Sequence, residues 1–282
     1  HSQALGERVT LANLTAEYDA VFLGMGLTGV NALGLADESL GGVDDAVAYT
    51  TTWEYDPTGN IWNNKAALSY ARGAAGAAEL GGVIYVCGGT DTVSWIANVD
   101  AYDPAADAWS VKAPMPTARY FTAAAALAGR VYALGGYNGA YVGVVEAYDP
   151  GTNSWTSTTP MTTIRGGTAA GVLNGKLYAA GGYNGSYLAA VEAYDPDTNA
   201  WTPRASMPTA RHLPAGVVVD GRFYVMGGDN GLALNTVESY DPASNTWRLE
   251  PGMLTARQDL EDAAAAIGNK IYVAGGMNGV AV

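Results

Sequence analysis

The 282 residues carry 14 Lys and Arg against 27 Asp and Glu, a formal net charge of −13 that repels nucleic acid and anionic membrane surfaces over the molecule as a whole. With 49% hydrophobic residues, 15% charged residues and 37 glycines, the composition is that of a turn-rich chain able to bury a core, which excludes disorder. The single cysteine, Cys87, excludes an internal disulfide, and no apolar run approaches the roughly 18 residues of a membrane span.

In chain order, residues 1–48 come first and lack the repeat that fills the rest. Residues Tyr18 to Val47 resemble a piece of the flavin-dependent oxidoreductases of the glutamate synthase small chain and dihydropyrimidine dehydrogenase type. That resemblance would make Gly24, Gly26 and Gly29 a dinucleotide loop. About 45 residues are too few for a complete strand-helix-strand unit and its sheet, so no nucleotide site and no cofactor is expected. The segment is read as a foreign fragment, giving a chimeric amino terminus recruited as blade strands. Its Gly41-Gly42 stands 47 residues before Gly88-Gly89, in register with the repeat. The chain begins at His1 rather than Met, which leaves the compartment open, a soluble cytoplasmic protein being favoured over a secreted one.

From residue 49 to 282 one unit recurs. Tyr-Asp-Pro begins at Tyr55, Tyr102, Tyr148, Tyr194 and Tyr240, and seven residues after each Tyr stands Trp62, Trp109, Trp155, Trp201 or Trp247. An arginine follows at Arg72, Arg119, Arg165, Arg211 and Arg257, and a double glycine closes the unit at Gly88, Gly135, Gly181, Gly227 and Gly275 with their successors. The period, 46 to 48 residues, is that of a propeller blade. Each unit reads as four short strands, a to d, because apolar runs such as Thr168 to Leu173 and Leu177 to Ala180 are divided by turn residues. Asn174-Gly175 and Asp220-Gly221 suit two-residue hairpins between a and b. Asp149-Pro150-Gly151-Thr152-Asn153 and its copies suit the turn between c and d.

Gly-Gly, then Tyr-Asp-Pro, then Asn-x-Trp, then Met-Pro-Thr-Ala-Arg resembles the kelch repeat over about residues 50–282. The resemblance implies an all-β propeller used mostly for protein recognition and sometimes as an enzyme scaffold. Six blades are favoured, five being the alternative, with the ring closed by mixing amino- and carboxyl-terminal strands. Six blades require residues 5–45 to supply strands.

Strand alternation places the d-to-a links and the b-to-c loops on one face, where the copies vary, and variable loops on a rigid scaffold collect binding residues. Three features mark that face. The first is the arginine set Arg72, Arg119, Arg165, Arg211 and Arg257, followed by the variable Gly73, Tyr120, Gly166, His212 and Gln258. In partner-binding kelch propellers the matching arginines contact acidic peptides, while the structural alternative pairs them with Asp100, Glu146, Glu192 or Glu238 of the same repeat. The second is an aromatic rim of Trp95, Tyr137, Tyr141, Tyr183 and Tyr187, whose flat rings suit sugars, cations or peptide side chains.

The third feature is a break in the repeat. Arginine to double glycine spans sixteen residues in four copies but eighteen from Arg257 to Gly275, around Asp259, Glu261 and Asp262. Those carboxylates could serve as an acid/base pair, bind calcium or form a solvated bulge. His212 is the only internal histidine, so neither a copper nor a zinc site is expected. The sequence thus points to a binding propeller for an acidic peptide, an acidic protein or an acidic carbohydrate. An enzyme on an acidic sugar, of mutarotase or hydrolase type, using Asp259, Glu261, Asp262 and His212, is the alternative.

Overall fold

A computed structural model describes residues 49–56 and 61–278. The expected strands of residues 5–45, the glycine loop at Gly24 and the Gly41-Gly42 register all lie outside these residues.

Four complete four-stranded antiparallel sheets follow one another along the chain. The first holds β3 (Gly76–Leu80), β4 (Val83–Cys87), β5 (Val99–Asp103) and β6 (Ala108–Lys112). The second holds β7 (Ala123–Leu127), β8 (Arg130–Leu134), β9 (Val145–Asp149) and β10 (Ser154–Ser157). The third holds β11 (Ala169–Leu173), β12 (Lys176–Ala180), β13 (Val191–Asp195) and β14 (Ala200–Arg204). The fourth holds β15 (Ala215–Val219), β16 (Arg222–Met226), β17 (Val237–Asp241) and β18 (Thr246–Glu250). Two half-blades flank them: β1 (Thr52–Asp56) with β2 (Ile61–Lys65), in register with the outer pair of a blade, and β19 (Ala264–Ile267) with β20 (Lys270–Val273), in register with an inner pair. No helix among the described residues is long and apolar enough to cross a membrane.

The turn chemistry works as the residue types dictate. Asn174 and Gly175 both take positive φ (51° and 70°), as do Asp220 and Gly221 (48° and 72°), so each two-residue loop matches the twist of the strands it joins. In the outer turns Asp107, Asn153, Asn199 and Asn245 occupy the left-handed region at φ of 48° to 53°, which Asn and Asp tolerate best among residues with a side chain.

Neither face of a four-stranded sheet can be hidden by the sheet itself, so the core lies between blades. One cluster joins Tyr132, Leu134 and Val145 of the second sheet to Leu177, Tyr194 and Trp201 of the third. Equivalent clusters join the first sheet to the second and the third to the fourth. A polar clamp repeats at the outside. Trp155 Nε1 donates to Ala113 O (2.8 Å) while Asn153 Oδ1 accepts from Ala113 N (2.9 Å), so one residue of the preceding blade is held by both its amide groups. Trp201 with Asn199 does the same at Thr159, Trp247 with Asn245 at Ala205, and Trp109 with Asp107 at Ala66.

Just before the inner strands, successive blades are linked by backbone bonds, Phe121 N to Ala74 O, Gly167 N to Phe121 O, Leu213 N to Gly167 O and Leu260 N to Leu213 O, each 2.9 to 3.0 Å. Across the gap between the last described inner strand and the first, Ala77 N of β3 donates to Asp262 Oδ2 at 2.9 Å.

Candidate functional site

The variable face is built on the arginines, but not by presenting them. Arg165 Nη1 donates to Gly181 O (2.8 Å) and Ala190 O (2.7 Å), and its Nη2 to Glu192 Oε2 (3.0 Å). Arg211 repeats this with Gly227 O, Thr236 O and Glu238 Oε2 (2.6 Å). Arg119 pairs with Glu146 (2.5 Å) and Arg72 with Asp100. All four guanidinium groups are fully buried and their carboxylates nearly so. The threonine of the preceding link takes another carboxylate bond, Thr117 to Glu146 and Thr209 to Glu238 at 2.8 Å each. Burial pulls the Arg165 and Arg211 guanidinium groups below their usual pKa, and the paired carboxylates oppose that pull.

This corrects the expectation that Arg72, Arg119, Arg165 and Arg211 meet a ligand: their donors hold the b-to-c loops onto the sheet, the alternative the sequence had left open. Arg257 differs. Half-buried Arg257 donates to Gly275 O (2.5 Å).

The loops so held carry the aromatic rim. The residue after each arginine pairs through its backbone with the residue after the double glycine: Tyr120 with Tyr137, Gly166 with Tyr183, His212 with Asp229 and Gln258 with Met277. The rings then touch edge to face in a row, Trp95 to Tyr137 (5.9 Å between centroids), Tyr137 to Tyr141 (5.0 Å), Tyr141 to Tyr183 (5.5 Å) and Tyr183 to Tyr187 (5.3 Å). Trp95 and Tyr187 are exposed at the two ends, and the rings between them are half-buried. All five rim residues therefore lie together, with Tyr120 inside the row at 5.6 Å from Tyr137.

His212 sits further in. Its ring lies against Phe121 (5.6 Å) and Tyr183 (5.4 Å), and its Nδ1 is 3.6 Å from Asp229 Oδ2. Burial works to raise the Asp229 pKa, but His212, the Gly231 N–H and Tyr187 bond to the carboxylate and hold it below its ordinary value. His212 Nε2 is buried with no hydrogen-bond partner. The sequence reading missed Phe121 and Asp229, although Asp229 occupies the place after Gly227-Gly228 that Tyr137 and Tyr183 take in other copies.

The two extra residues of the last repeat are Glu261 and Asp262. Leu260 still packs where a Cβ on Gly276 would fall, and Ala263 already pairs with Ala274, so the bulge lies between them. Glu261 is buried with Oε1 unpartnered, and loss of hydration, then the charges of Asp262 and Asp259, raise its pKa well above the ordinary carboxyl range. Asp262 is exposed, yet the protein around its carboxyl strips enough hydration to push it up to about 7 against the lowering effect of the Ala77 N–H. The structure thus brings Asp259, Glu261 and Asp262 together and gives Asp262 a bond to another blade, while His212 pairs with Asp229. Among the described residues no group of His, Cys, Asp and Glu could hold a metal ion.

A carboxyl whose folded pKa is raised adds stability below its unfolded pKa, about 4, and loses it as pH rises through the folded value. Asp262 should therefore make the fold less stable at pH 8 than at pH 5, with Glu261 acting in the same direction. Of the groups around this carboxyl pair, burial raises the Tyr120 phenol and pushes the Cys87 thiol up to about 12, so neither titrates between pH 5 and pH 8. Asp262→Asn keeps an acceptor for Ala77 N and should flatten the dependence. Melting curves from pH 5 to 8 that run parallel for both proteins would contradict this.

Family profiles match the repeats. One described as Kelch motif matches residues 71–116 and 210–254, and one described as the KLHDC2/KLHL20/DRC7 Kelch-repeats domain matches residues 108–228. The solved structure of YjhT aligns with a TM-score of 0.72 at 16% identity, covering 85% of this chain and 87% of that one, a likeness of fold. No curated protein matches the sequence. None of these matches is to a flavin oxidoreductase.

Proposed function

We propose that this all-β kelch propeller is a binding protein whose rim face takes an extended segment of a protein partner. One observation carries the reading. Of the ten large apolar side chains exposed among the described residues, six (Val93, Trp95, Ile164, Tyr187, Leu232 and Leu254) stand on the b-to-c loops and d-to-a links of this one face. Exposed apolar groups gathered on one face, continuous with a row of half-buried rings, are the usual mark of a recognition surface. Aliphatic groups interleaved with rings suit peptide side chains better than sugar hydroxyls.

The acidic ligand expected from the arginines loses its anchor, because four of the five are spent inside the protein. The enzyme reading keeps one favourable observation, the unpartnered polar atoms of Glu261 and His212, but lacks guanidinium forks for an acidic sugar. As to the ring, the Ala77 to Asp262 bond reaches from the first described inner strand to the bulge just before the last, which supports the five-blade alternative over six.

The test is selection of peptides on the immobilised protein, followed by comparison with a Trp95→Ala, Tyr187→Ala variant. Selected peptides should bind the variant at least about tenfold more weakly, since removing central aromatic anchors costs roughly 2 kcal/mol or more. Equal affinity for both proteins, or selection of glycans in place of peptides on a parallel array, would defeat the reading.

A further inference from the structure

The rim rings cross three blades in one row, and the fold fixes the step of that row. Trp95, Tyr141 and Tyr187 are like-placed, since each pairs through its backbone with the residue that follows its own double glycine, Thr90, Tyr137 and Tyr183. Two ring-to-ring steps, 5.9 and 5.0 Å, lead from Trp95 to Tyr141, and two more, 5.5 and 5.3 Å, from Tyr141 to Tyr187. Like-placed rings of neighbouring blades therefore stand at most about 11 Å apart, near the roughly 10 Å at which packed sheets lie face to face. The row is continuous because its rings lean across the joints. A Cβ on Gly139 of the second blade would lie 3.2 Å from Trp95 Cη2, and one on Gly166 of the third would lie 3.2 Å from Tyr141 Cδ1. The row ends at the fourth blade, where the same pair of places holds Asp229 and Ala233.

A bound segment must match that step with residues on one side of its chain. A β-strand advances about 3.3 Å per residue and returns to the same side only at even separations, about 6.6 or 13 Å. An α-helix regains the step only at every seventh residue, about 10.5 Å, and stays straight while the row turns with the blades about the axis. A polyproline II chain turns once in three residues and advances about 9.3 Å in doing so, which brings every third side chain to the next like-placed ring. We propose that the segment taken by the rim is proline-rich and in the polyproline II conformation, with residues i, i+3 and i+6 on the three rings Trp95, Tyr141 and Tyr187. This rests on the binding reading above and names the partner's chemistry. Such a chain makes no internal hydrogen bonds and its prolines lack N–H groups, so it brings carbonyl acceptors that need donors. The Trp95 indole and the phenols of Tyr137, Tyr141 and Tyr183 are donors. The preformed chain also loses little conformational entropy on binding.

The probes are a capped nonapeptide with proline at every third position among serines and its isomer with the same three prolines at every second position, each titrated into the unmodified protein and followed by nuclear magnetic resonance. The first should bind about fivefold tighter or more, and Trp95→Ala with Tyr187→Ala should weaken it by about tenfold and remove the preference. Equal affinities for the two isomers, tighter binding of the second, or binding of neither overturns the proposal. The comparison of isomers needs no variant, so it stands even if the double substitution does not fold. Peptides selected on the rim should carry proline at every third position. Selected peptides that need Trp95 and Tyr187 but repeat at every second residue, or at helical spacing, would sink the polyproline reading and keep the rim. A preference between the isomers that survives the double substitution, with selected peptides equally indifferent to it, would sink both.

Discussion

Glu192→Ala is expected to lower the unfolding free energy by about 3–5 kcal/mol, because it leaves the Arg165 guanidinium buried beside nothing that balances its charge. Arg165 is fully buried, and of its partners only Glu192 is anionic. The carbonyls of Gly181 and Ala190 satisfy donors without neutralising the ion. Glu192→Gln should cost less, since the amide oxygen can still accept from Nη2. Removing both ends of the pair, Arg165→Met with Glu192→Leu, should recover much of the loss, as buried pairs are often replaceable by apolar groups of like size. Urea unfolding of the four proteins measures this; a Glu192→Ala midpoint equal to wild type would show that the pair is not shielded from water.

Gly135→Ala is expected to cost about 2–5 kcal/mol, the sum of roughly 1–2 for a side chain in the left-handed region and roughly 1–3 for overpacking. Gly135 has φ 59°, and a Cβ there would lie 2.3 Å from Arg165 O and 3.0 Å from Met161 Cε. The clash pushes against the carbonyl that Gly136 N bonds at 2.9 Å, so it strikes the seat of the b-to-c loop itself. Gly175→Ala is the control. Its φ is 70°, but a Cβ there meets nothing within 4 Å, so only the backbone penalty of about 1–2 kcal/mol remains. Equal thermal midpoints for the two variants would refute the packing account.

Strands and turns were legible because they depend on local chemistry. An Asn-Gly between two apolar runs specifies a hairpin whatever surrounds it, and Asn174-Gly175 forms one. The Trp-to-arginine spacing was legible as a repeat for the same reason. The destination of the arginines was not. An arginine at the start of an inner strand looks alike in sequence whether it meets a ligand or a carboxylate about 27 residues on, and burial between loop and sheet decides the matter. The last insertion shows the same limit. Its length gave its approximate place, but its bond to Ala77, 185 residues away, depends on how the ring comes round on itself. The aromatic row was visible as equivalent loop positions, whereas Phe121 and Asp229 entered only when neighbouring blades met around His212.

The clamp that holds each blade to the one before it also says where such a molecule parts first. It grips one residue four places beyond each tryptophan, Ala66, Ala113, Thr159 and Ala205, through an amide hydrogen and a carbonyl together. The same place after Trp247 is Pro251, which has no amide hydrogen to offer. The joint that follows the fourth blade can therefore be fastened at one point where its predecessors are fastened at two. A ring with one weaker rivet opens there rather than at random, and the acidic bulge of Glu261 and Asp262 stands beside that seam.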